Sequence, residues 1–130
     1  MPHSTILLVE DEILLREGIQ EILEANGYKV IGAADGAEAL EWLDQVPVTL
    51  VISDLVMPNM DGMEFVQRVR VRFPDLPIII ASGSPGTVMS RLGIDSIHIA
   101  GATASISKPF KSSELVALIQ RVLLEANPAA

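Results

Sequence analysis

Five polar residues that could act together chemically each stand at the end of a short apolar run of the chain. Glu10 and Asp11 follow the first run, Asp54 ends the third, Ser82 follows the fourth, and Lys108 follows the fifth. Clustered carboxylates repel one another unless a cation is present, and Mg²⁺ is commonly held by one or two carboxylates with water and a phosphate oxygen. These residue types are therefore suited to binding Mg²⁺ and a phosphoryl group.

Asp54 is the member of this set that is suited to react. A carboxylate is a competent nucleophile toward phosphorus and forms an aspartyl phosphate. Phosphoryl transfer otherwise needs positioning and neutralisation of the charge on the equatorial oxygens. Mg²⁺ can neutralise one oxygen and the Lys108 ammonium a second, while the Ser82 hydroxyl can donate to a third and Gly83 leaves room beside it. The chemistry indicated is phosphorylation of Asp54.

The elements that must position these residues are visible in the hydrophobic pattern. Apolar runs predict strands at five places, namely residues 5–9, 29–33, 50–54, 78–81 and 105–107. Because helical patterns separate these runs, we expect an α/β fold with a doubly wound parallel sheet. Right-handed crossovers place the carboxyl ends of all the strands at one edge, where ligands bind in such sheets.

Turn and capping residues predict where the helices begin and end. Gly27 is expected to stop the first helix. Asp35 and Asp61 are the expected N-caps of the second and third helices, because a glutamate follows each of them three residues later. A fourth helix is expected around residues 88–92, within the least regular part of the sequence, and an amphipathic fifth helix near the C-terminus.

The totals exclude several classes of protein. The 130 residues, nearly half of them apolar, suit one domain covering 1–130 with its core at about 4–126. A net charge of −8 argues against direct nucleic-acid binding, which needs a basic surface. Cysteine is absent, so no disulfide or thiolate metal site is expected. No apolar run has transmembrane length and no signal-peptide core is present, which favours a cytoplasmic protein without a membrane partner.

Four motifs together resemble those of the receiver domain of response regulators in two-component signalling, along nearly the whole chain. They are Leu-Val-Glu-Asp-Glu at 8–12, Asp-Leu-Val-Met-Pro-Asn-Met-Asp-Gly at 54–62, Ala-Ser-Gly at 81–83 and Ser-Lys-Pro-Phe at 107–110. Each motif alone is weak, but the set is specific. The resemblance implies a five-stranded sheet of order 2-1-3-4-5, flanked by five helices.

The resemblance also implies a phosphoacceptor and a metal site. Asp54 would receive a phosphoryl group from the phosphohistidine of a sensor histidine kinase or of a phosphotransfer protein. Mg²⁺ would be the cofactor, bound directly by Asp11, Asp54 and the backbone carbonyl of Val56. Glu10 would act on the metal through water.

The remaining implied features concern signalling. Ser82 would be the switch hydroxyl, and Lys108 the phosphate-binding cation, aimed at Asp54 by a cis bond to Pro109. Phosphorylation would switch a surface that binds a downstream protein, so the chain would be a signalling switch rather than an enzyme. A homodimer could form through the face made by the fourth helix, the fifth strand and the fifth helix.

The sequence departs from the family pattern in two places. Receivers usually carry an aromatic residue three positions before the lysine, where this chain has Ser105. The interval from Ser82 to Lys108 is also a few residues longer than is typical. We therefore expect the usual aromatic relay to be absent and the fourth helix to be displaced or irregular.

Simpler interpretations of the same residues stay open at this point. Glu10 and Asp11 could be acids favoured by the dipole at the start of a helix. Asp54 and Ser82 could be turn residues, and Lys108 could be a solvated lysine in a loop. Because all five stand at strand ends of the predicted sheet, the shared site is the favoured interpretation.

Two rival functions also remain. A Mg²⁺-dependent phosphatase can use an aspartyl phosphate, but such enzymes need a second acid two residues after the nucleophile, and that position is Val56. A pseudo-receiver would bind partners without being phosphorylated. The complete set of acids, Ser82 and Lys108 favours a phosphorylated receiver over both.

Overall fold

Five short apolar segments form the strands of one parallel sheet. The computed structural model describes residues 4–82 and 101–126. Its strands are β1 Thr5–Val9, β2 Lys29–Ala33, β3 Leu50–Asp54, β4 Ile78–Ser82 and β5 Ala104–Ser107. They lie in the order β2-β1-β3-β4-β5, and every neighbouring pair is parallel. The predicted strands, their parallel pairing and the order 2-1-3-4-5 are confirmed.

Four helices connect or follow these strands within the described ranges. They are α1 Ile13–Ala25, α2 Gly36–Gln45, α3 Gly62–Arg72 and α4 Ser112–Ala126. The additional helix expected around residues 88–92 lies outside the described residues, so four of the five predicted helices are accounted for. None of these four helices is long and apolar enough to cross a membrane.

The helix boundaries follow the predicted capping chemistry. The Asp35 carboxylate accepts a hydrogen bond from the Glu38 backbone N–H, and the Asp61 carboxylate accepts one from the Glu64 N–H. Each bond satisfies one of the unpaired N–H groups in the first turn of its helix. Gly27 follows α1 with a φ of +92°, a left-handed conformation that glycine adopts without steric cost.

The sheet is covered on both faces, which explains why its strands are continuous apolar runs. In β1, Leu7 and Val9 join a core cluster with residues of α2 and α3, such as Leu43 and Phe65. The alternate residues of β1 pack on the opposite face against α1 and α4. This second core cluster includes Ile6, Leu8, Ile19, Leu23, Leu115 and Ile119. Because both faces are buried, a register slip would expose a core surface, so the positions of the strand ends are fixed.

An arginine of α3 fixes the chain where it enters β5. The Arg70 Nε donates to the carbonyl of Gly101 at 2.8 Å. Its Nη1 donates to the carbonyls of Phe73 at 3.0 Å and Leu76 at 2.6 Å. One side chain thus joins the end of α3, the connection to β4 and the start of the β5 segment, which carries Lys108 at its far end.

Candidate functional site

The carboxyl ends of four adjacent strands bring the predicted residues together. The registers pair Val9 of β1 with Ser53 of β3, Asp54 with Ala81 of β4, and Ser82 with Ser107 of β5. Glu10 and Asp11 directly follow Val9, and Lys108 directly follows Ser107. The five polar residues predicted from the sequence therefore lie along one edge of the sheet.

Three carboxylates form the acidic part of this edge. One carboxylate oxygen from each of Glu10, Asp11 and Asp54 lies within 4.8 Å of the other two. Glu10 is buried, with 3% of its surface exposed, whereas Asp11 is exposed and Asp54 is intermediate. An all-oxygen, acidic set that is open on one side has the donor chemistry that Mg²⁺ prefers.

Lys108 brings a positive charge to the three carboxylates. Its Nζ lies 2.7 Å from Glu10 Oε1 and 3.4 Å from Asp54 Oδ2. The bond to Pro109 is cis, as the resemblance implied. The ammonium was expected to face Asp54, and it does, but its shorter contact is with the buried carboxylate of Glu10. Lys108 therefore partly neutralises two acids at once.

Burial and charge act against each other at these three residues. Burial raises the pKa of Asp54 above its usual value, although the nearby Lys108 and the Leu55 N–H oppose that effect. Burial likewise raises the pKa of Glu10 despite its bond to Lys108. Burial alone would lower the pKa of Lys108, but its contacts with Glu10 and Asp54 raise it overall. The contacts thus favour the charged form of Lys108, while burial makes Glu10 and Asp54 harder to ionise than they would be in water.

The loop after β3 holds the Asp54 backbone close to α3. Asp54 Oδ1 accepts a hydrogen bond from the Leu55 N–H at 2.9 Å, and the Gly62 N–H donates to the Leu55 carbonyl at 2.7 Å. A Cβ at Gly62 would lie 2.8 Å from the Leu55 Cα and 2.9 Å from the Asp54 carbonyl oxygen. The sequence predicted only a turn and a cap at Asp61 and Gly62, and missed this close approach.

Val56 lies on the open side of Asp54. Its side chain is 60% exposed, in contrast to the buried Leu55 and Met57 on either side of it. An exposed valine two residues past Asp54 gives this side of the site an apolar surface. It offers no side-chain group that could accept or donate a proton.

Ser82 lies on the buried side of the site. It is 1% exposed, and within residues 4–82 and 101–126 its Oγ contacts no hydrogen-bond partner. Its backbone carbonyl accepts a hydrogen bond from the Lys108 N–H at 2.6 Å, which ties the two residues together. Among the described residues no acceptor takes up this hydroxyl, so its proton can be donated to an incoming oxygen.

Ser105, the departure from the aromatic pattern, lies on β5 opposite Ile80 of β4. Its side chain is partly buried. The longer interval between Ser82 and Lys108 runs mostly through residues 83–100, which lie outside the described ranges. Gly83 and the expected helix at 88–92 are in the same interval, so those predictions stay untested.

Sequence reasoning missed one residue at this edge, Arg16 of α1. Its Nη1 donates to the backbone carbonyl of Glu10 at 2.7 Å. The side chain passes over Gly32 of β2, where an added Cβ would lie 3.1 Å from the Arg16 Cδ. A glycine inside a strand often marks such a close approach, so Gly32 was the available signal.

Comparison with known proteins agrees with this geometry. The family model described as the response regulator receiver domain matches residues 6–120. Response regulator MprA of Mycobacterium leprae is 35% identical over 123 residues, which are 95% of this chain and 52% of MprA. Response regulator Rre1 of Synechocystis is 38% identical over 122 residues, 92% of this chain and 51% of Rre1. The chain thus spans about half the length of these curated relatives.

Solved structures show the same relationship. The chemotaxis response regulator CheY4 of Vibrio cholerae superposes with a TM-score of 0.78 at 33% identity, over 93% of this chain and 99% of that one. A signal receiver domain of a histidine kinase from Syntrophus aciditrophicus gives the same TM-score at 31% identity, over 92% of this chain and 89% of that one. The fold, the match to the family model and these relatives agree, and the chain belongs to the response regulator receiver domain family.

Proposed function

We propose that this chain is a phosphoacceptor switch in which Asp54 receives a phosphoryl group. The observation that carries the proposal is the position of Asp54 between opposite charges. Its carboxylate lies within 4.8 Å of those of Glu10 and Asp11, and 3.4 Å from the Lys108 ammonium. A nucleophile in that position can be reached by a phosphoryl group whose oxygens are neutralised as it arrives.

The donor in this proposal is a phosphohistidine on a sensor histidine kinase or a phosphotransfer protein. An Asp54 carboxylate oxygen forms a bond to phosphorus while the bond from phosphorus to the imidazole nitrogen breaks. The electron pair of that bond stays on the imidazole, and no oxidant or reductant is needed. The product is an aspartyl phosphate on this chain and a free histidine on the donor.

Mg²⁺ is the proposed cofactor, and the donor set fits it. Asp11, Asp54 and the Val56 carbonyl would hold the ion, with Glu10 acting through water. When bound, the ion supplies charge neutralisation for a phosphoryl oxygen. The protein's own contribution is to hold the Glu10 and Asp54 carboxylates in place beside Lys108, while the Asp11 carboxylate stays exposed to the solvent that supplies the ion.

Lys108 and Ser82 are proposed to hold the phosphoryl oxygens that the metal does not contact. Lys108 is held by Glu10 at 2.7 Å and has only a longer contact with Asp54, so it can move toward a new negative charge with little rearrangement. The Ser82 hydroxyl, which is buried, can donate its proton to another oxygen. Drawing both residues toward Asp54 would shift β4, β5 and the residues that follow them.

The output of the switch is proposed to be a changed surface that binds a downstream protein. The chain would act in the cytoplasm, where histidine kinases present their phosphohistidine. A homodimer through the face that includes β5 and α4 belongs to the same proposal. The exposed Val56 stands where an aspartyl-phosphate phosphatase needs a second acid, which supports a signalling switch rather than an enzyme.

The test is incubation of the purified chain with acetyl phosphate and Mg²⁺, followed by intact-mass measurement. We expect a gain of one phosphoryl group that requires Mg²⁺. A chain that stays unmodified at all concentrations would be a pseudo-receiver, which binds partners without phosphorylation. A chain that consumes acetyl phosphate through many turnovers without retaining mass would be a phosphatase. Either of these results would overturn the proposal.

A further inference from the structure

Four hydrogen bonds hold the backbone and side chain of Glu10. Its backbone N–H donates to the Ala33 carbonyl at 3.0 Å, and its Oε1 accepts from Lys108 at 2.7 Å. Its Oε2 accepts from the Glu12 N–H at 3.3 Å. The fourth contact is the hydrogen bond from the Arg16 Nη1 to the Glu10 carbonyl, at 2.7 Å. This last contact is charge-assisted, because its donor is the guanidinium of an arginine on α1.

The contact between Arg16 and Glu10 bridges the turn between β1 and α1. The Arg16 backbone N–H also donates to the Glu12 carbonyl at 2.9 Å, within the first turn of the helix. One residue therefore holds the peptide before Asp11 and the peptide that joins Glu12 to Ile13, while the Glu12 N–H of the peptide between them donates to Glu10 Oε2. Asp11 itself is exposed, so the orientation of its carboxylate depends on how firmly the Glu10–Glu12 turn is held.

Gly32 is what allows Arg16 to reach this turn. A Cβ added at Gly32 would lie 3.1 Å from the Arg16 Cδ and 3.3 Å from its Nε. The arginine stem therefore lies directly on the bare backbone of β2. A β-branched side chain at that position, which a strand would otherwise favour, would push the stem away from the sheet.

We infer that Arg16, seated on Gly32, is a positioning residue that orients the acidic turn for its divalent cation. The inference rests on the proposed function, because it assigns Arg16 to the same metal site. Arg16 acts through the Glu10 carbonyl and does not itself contact the ion or the reacting atoms. Removing a residue that orients metal ligands typically weakens metal binding by about ten- to a hundredfold.

The test measures direct binding of Mn²⁺, used as a spectroscopic substitute for Mg²⁺, by electron paramagnetic resonance of the free ion. Arg16→Met keeps a stem over Gly32 but removes the donor, so we expect Mn²⁺ to bind roughly tenfold more weakly. Arg16→Lys restores a charged donor and should recover most of that affinity. Arg121→Met, on the exposed side of α4, is the matched control and should bind like the original chain.

A second readout separates positioning from simple destabilisation. Because Arg16 acts on the metal site and not on the phosphoryl group, saturating Mg²⁺ should return the rate of acetyl phosphate labelling of Arg16→Met close to the original rate. Its apparent Mg²⁺ requirement should rise while the maximal rate changes little. A maximal rate that stays low at saturating Mg²⁺ in a folded Arg16→Met would overturn the positioning role.

A substitution at Gly32 tests separately whether the seat of the arginine stem matters. Gly32→Val should weaken Mn²⁺ binding to a similar extent, and the double variant with Arg16→Met should be no weaker than either single variant. Additive losses would show that Gly32 does not act through Arg16 and would overturn that part of the inference. If the original chain binds Mn²⁺ and Arg16→Met binds it equally well, the inference on Arg16 fails alone. If the original chain binds no Mn²⁺, the proposed metal site fails.

Discussion

The site has a buried side and an open side, and they differ in exposure to solvent and in how their charges are paired. On the buried side, Glu10 is 3% exposed and paired with Lys108 at 2.7 Å, and Ser82 is 1% exposed. On the open side, Asp11 is exposed and Val56 is 60% exposed. Asp54 lies between the two sides, with intermediate burial.

This difference indicates that the two sides have different roles. Electrostatic contacts are stronger where water is excluded, so the buried side is suited to holding the charge of a bound phosphoryl group. Ions, a donor protein and water arrive from solvent, and Asp11 and Val56 are exposed to it. Substitutions on the two sides should therefore have different consequences for stability, metal binding and the lifetime of the phosphorylated form.

The largest effect is expected at the residue that the two sides share. Asp54→Asn removes the nucleophile and keeps the shape of the side chain, so labelling by acetyl phosphate should be lost completely. Measurement of the intact mass shows directly whether the variant gains a phosphoryl group. Asp75→Asn, at an exposed aspartate before β4 at the opposite end of the sheet, is the control and should label normally. Labelling of Asp54→Asn at the original rate would place the phosphoacceptor elsewhere.

The next effect is expected on the buried side, at Lys108. Lys108→Met leaves the carboxylates of Glu10 and Asp54 without their shared cation, and unpairing partly buried charges should lower the free energy of unfolding by about 2 kcal/mol. Urea unfolding measures the loss, and added Mg²⁺ should restore part of it by neutralising the same acids. Lys111→Met is the control, because Lys111 is exposed nearby and should leave stability unchanged. Equal losses in both variants would show that the buried pairing contributes nothing specific.

A smaller and opposite effect is expected on the open side, at Asp11. Asp11→Asn removes a charge that faces two other carboxylates within 4.8 Å, so stability without metal should stay level or rise slightly. Mg²⁺ binding should nevertheless weaken severely, because the ion loses a charged ligand. Unfolding and Mn²⁺ binding on the same preparation measure the two changes. A loss of metal-free stability as large as that of Lys108→Met would remove the distinction between the two sides.

The sequence predicted the sheet and the polar residues that share its carboxyl edge because both depend on pattern. Continuous apolar runs indicate strands buried on both faces, and their ends fall on a common edge whatever the details of packing. The caps at Asp35 and Asp61 were also predictable, because each depends on a residue and its neighbour three positions away. These features depend on nearby residues or on a repeating pattern, so they can be predicted from the sequence.

The contacts between side chains were not predictable in the same way. Lys108 was expected to face Asp54, but its long side chain places the ammonium closer to Glu10, a residue 98 positions away in the chain. The bridge from Arg16 over Gly32 likewise depends on how α1 lies across β2. Such contacts are decided by rotamers and by the separation of packed elements, which no spacing pattern records.

The smallest effect is expected on the open side, at Val56, where it concerns how long the phosphorylated form lasts. An aspartyl phosphate decays when water attacks phosphorus in line with the Asp54 oxygen, and that water must be oriented and relieved of a proton. Valine can do neither, because its exposed side chain carries no polar group. We therefore expect slow loss of the phosphoryl group, and several-fold faster loss in Val56→Asn, whose amide can orient water. Val71→Asn, at an exposed valine of α3, is the matched control, and loss of phosphoryl is followed by intact mass after removal of the donor. Rapid decay in the original chain would show that Val56 does not slow the attack of water, and equal rates in all three proteins would show that position 56 does not control the decay.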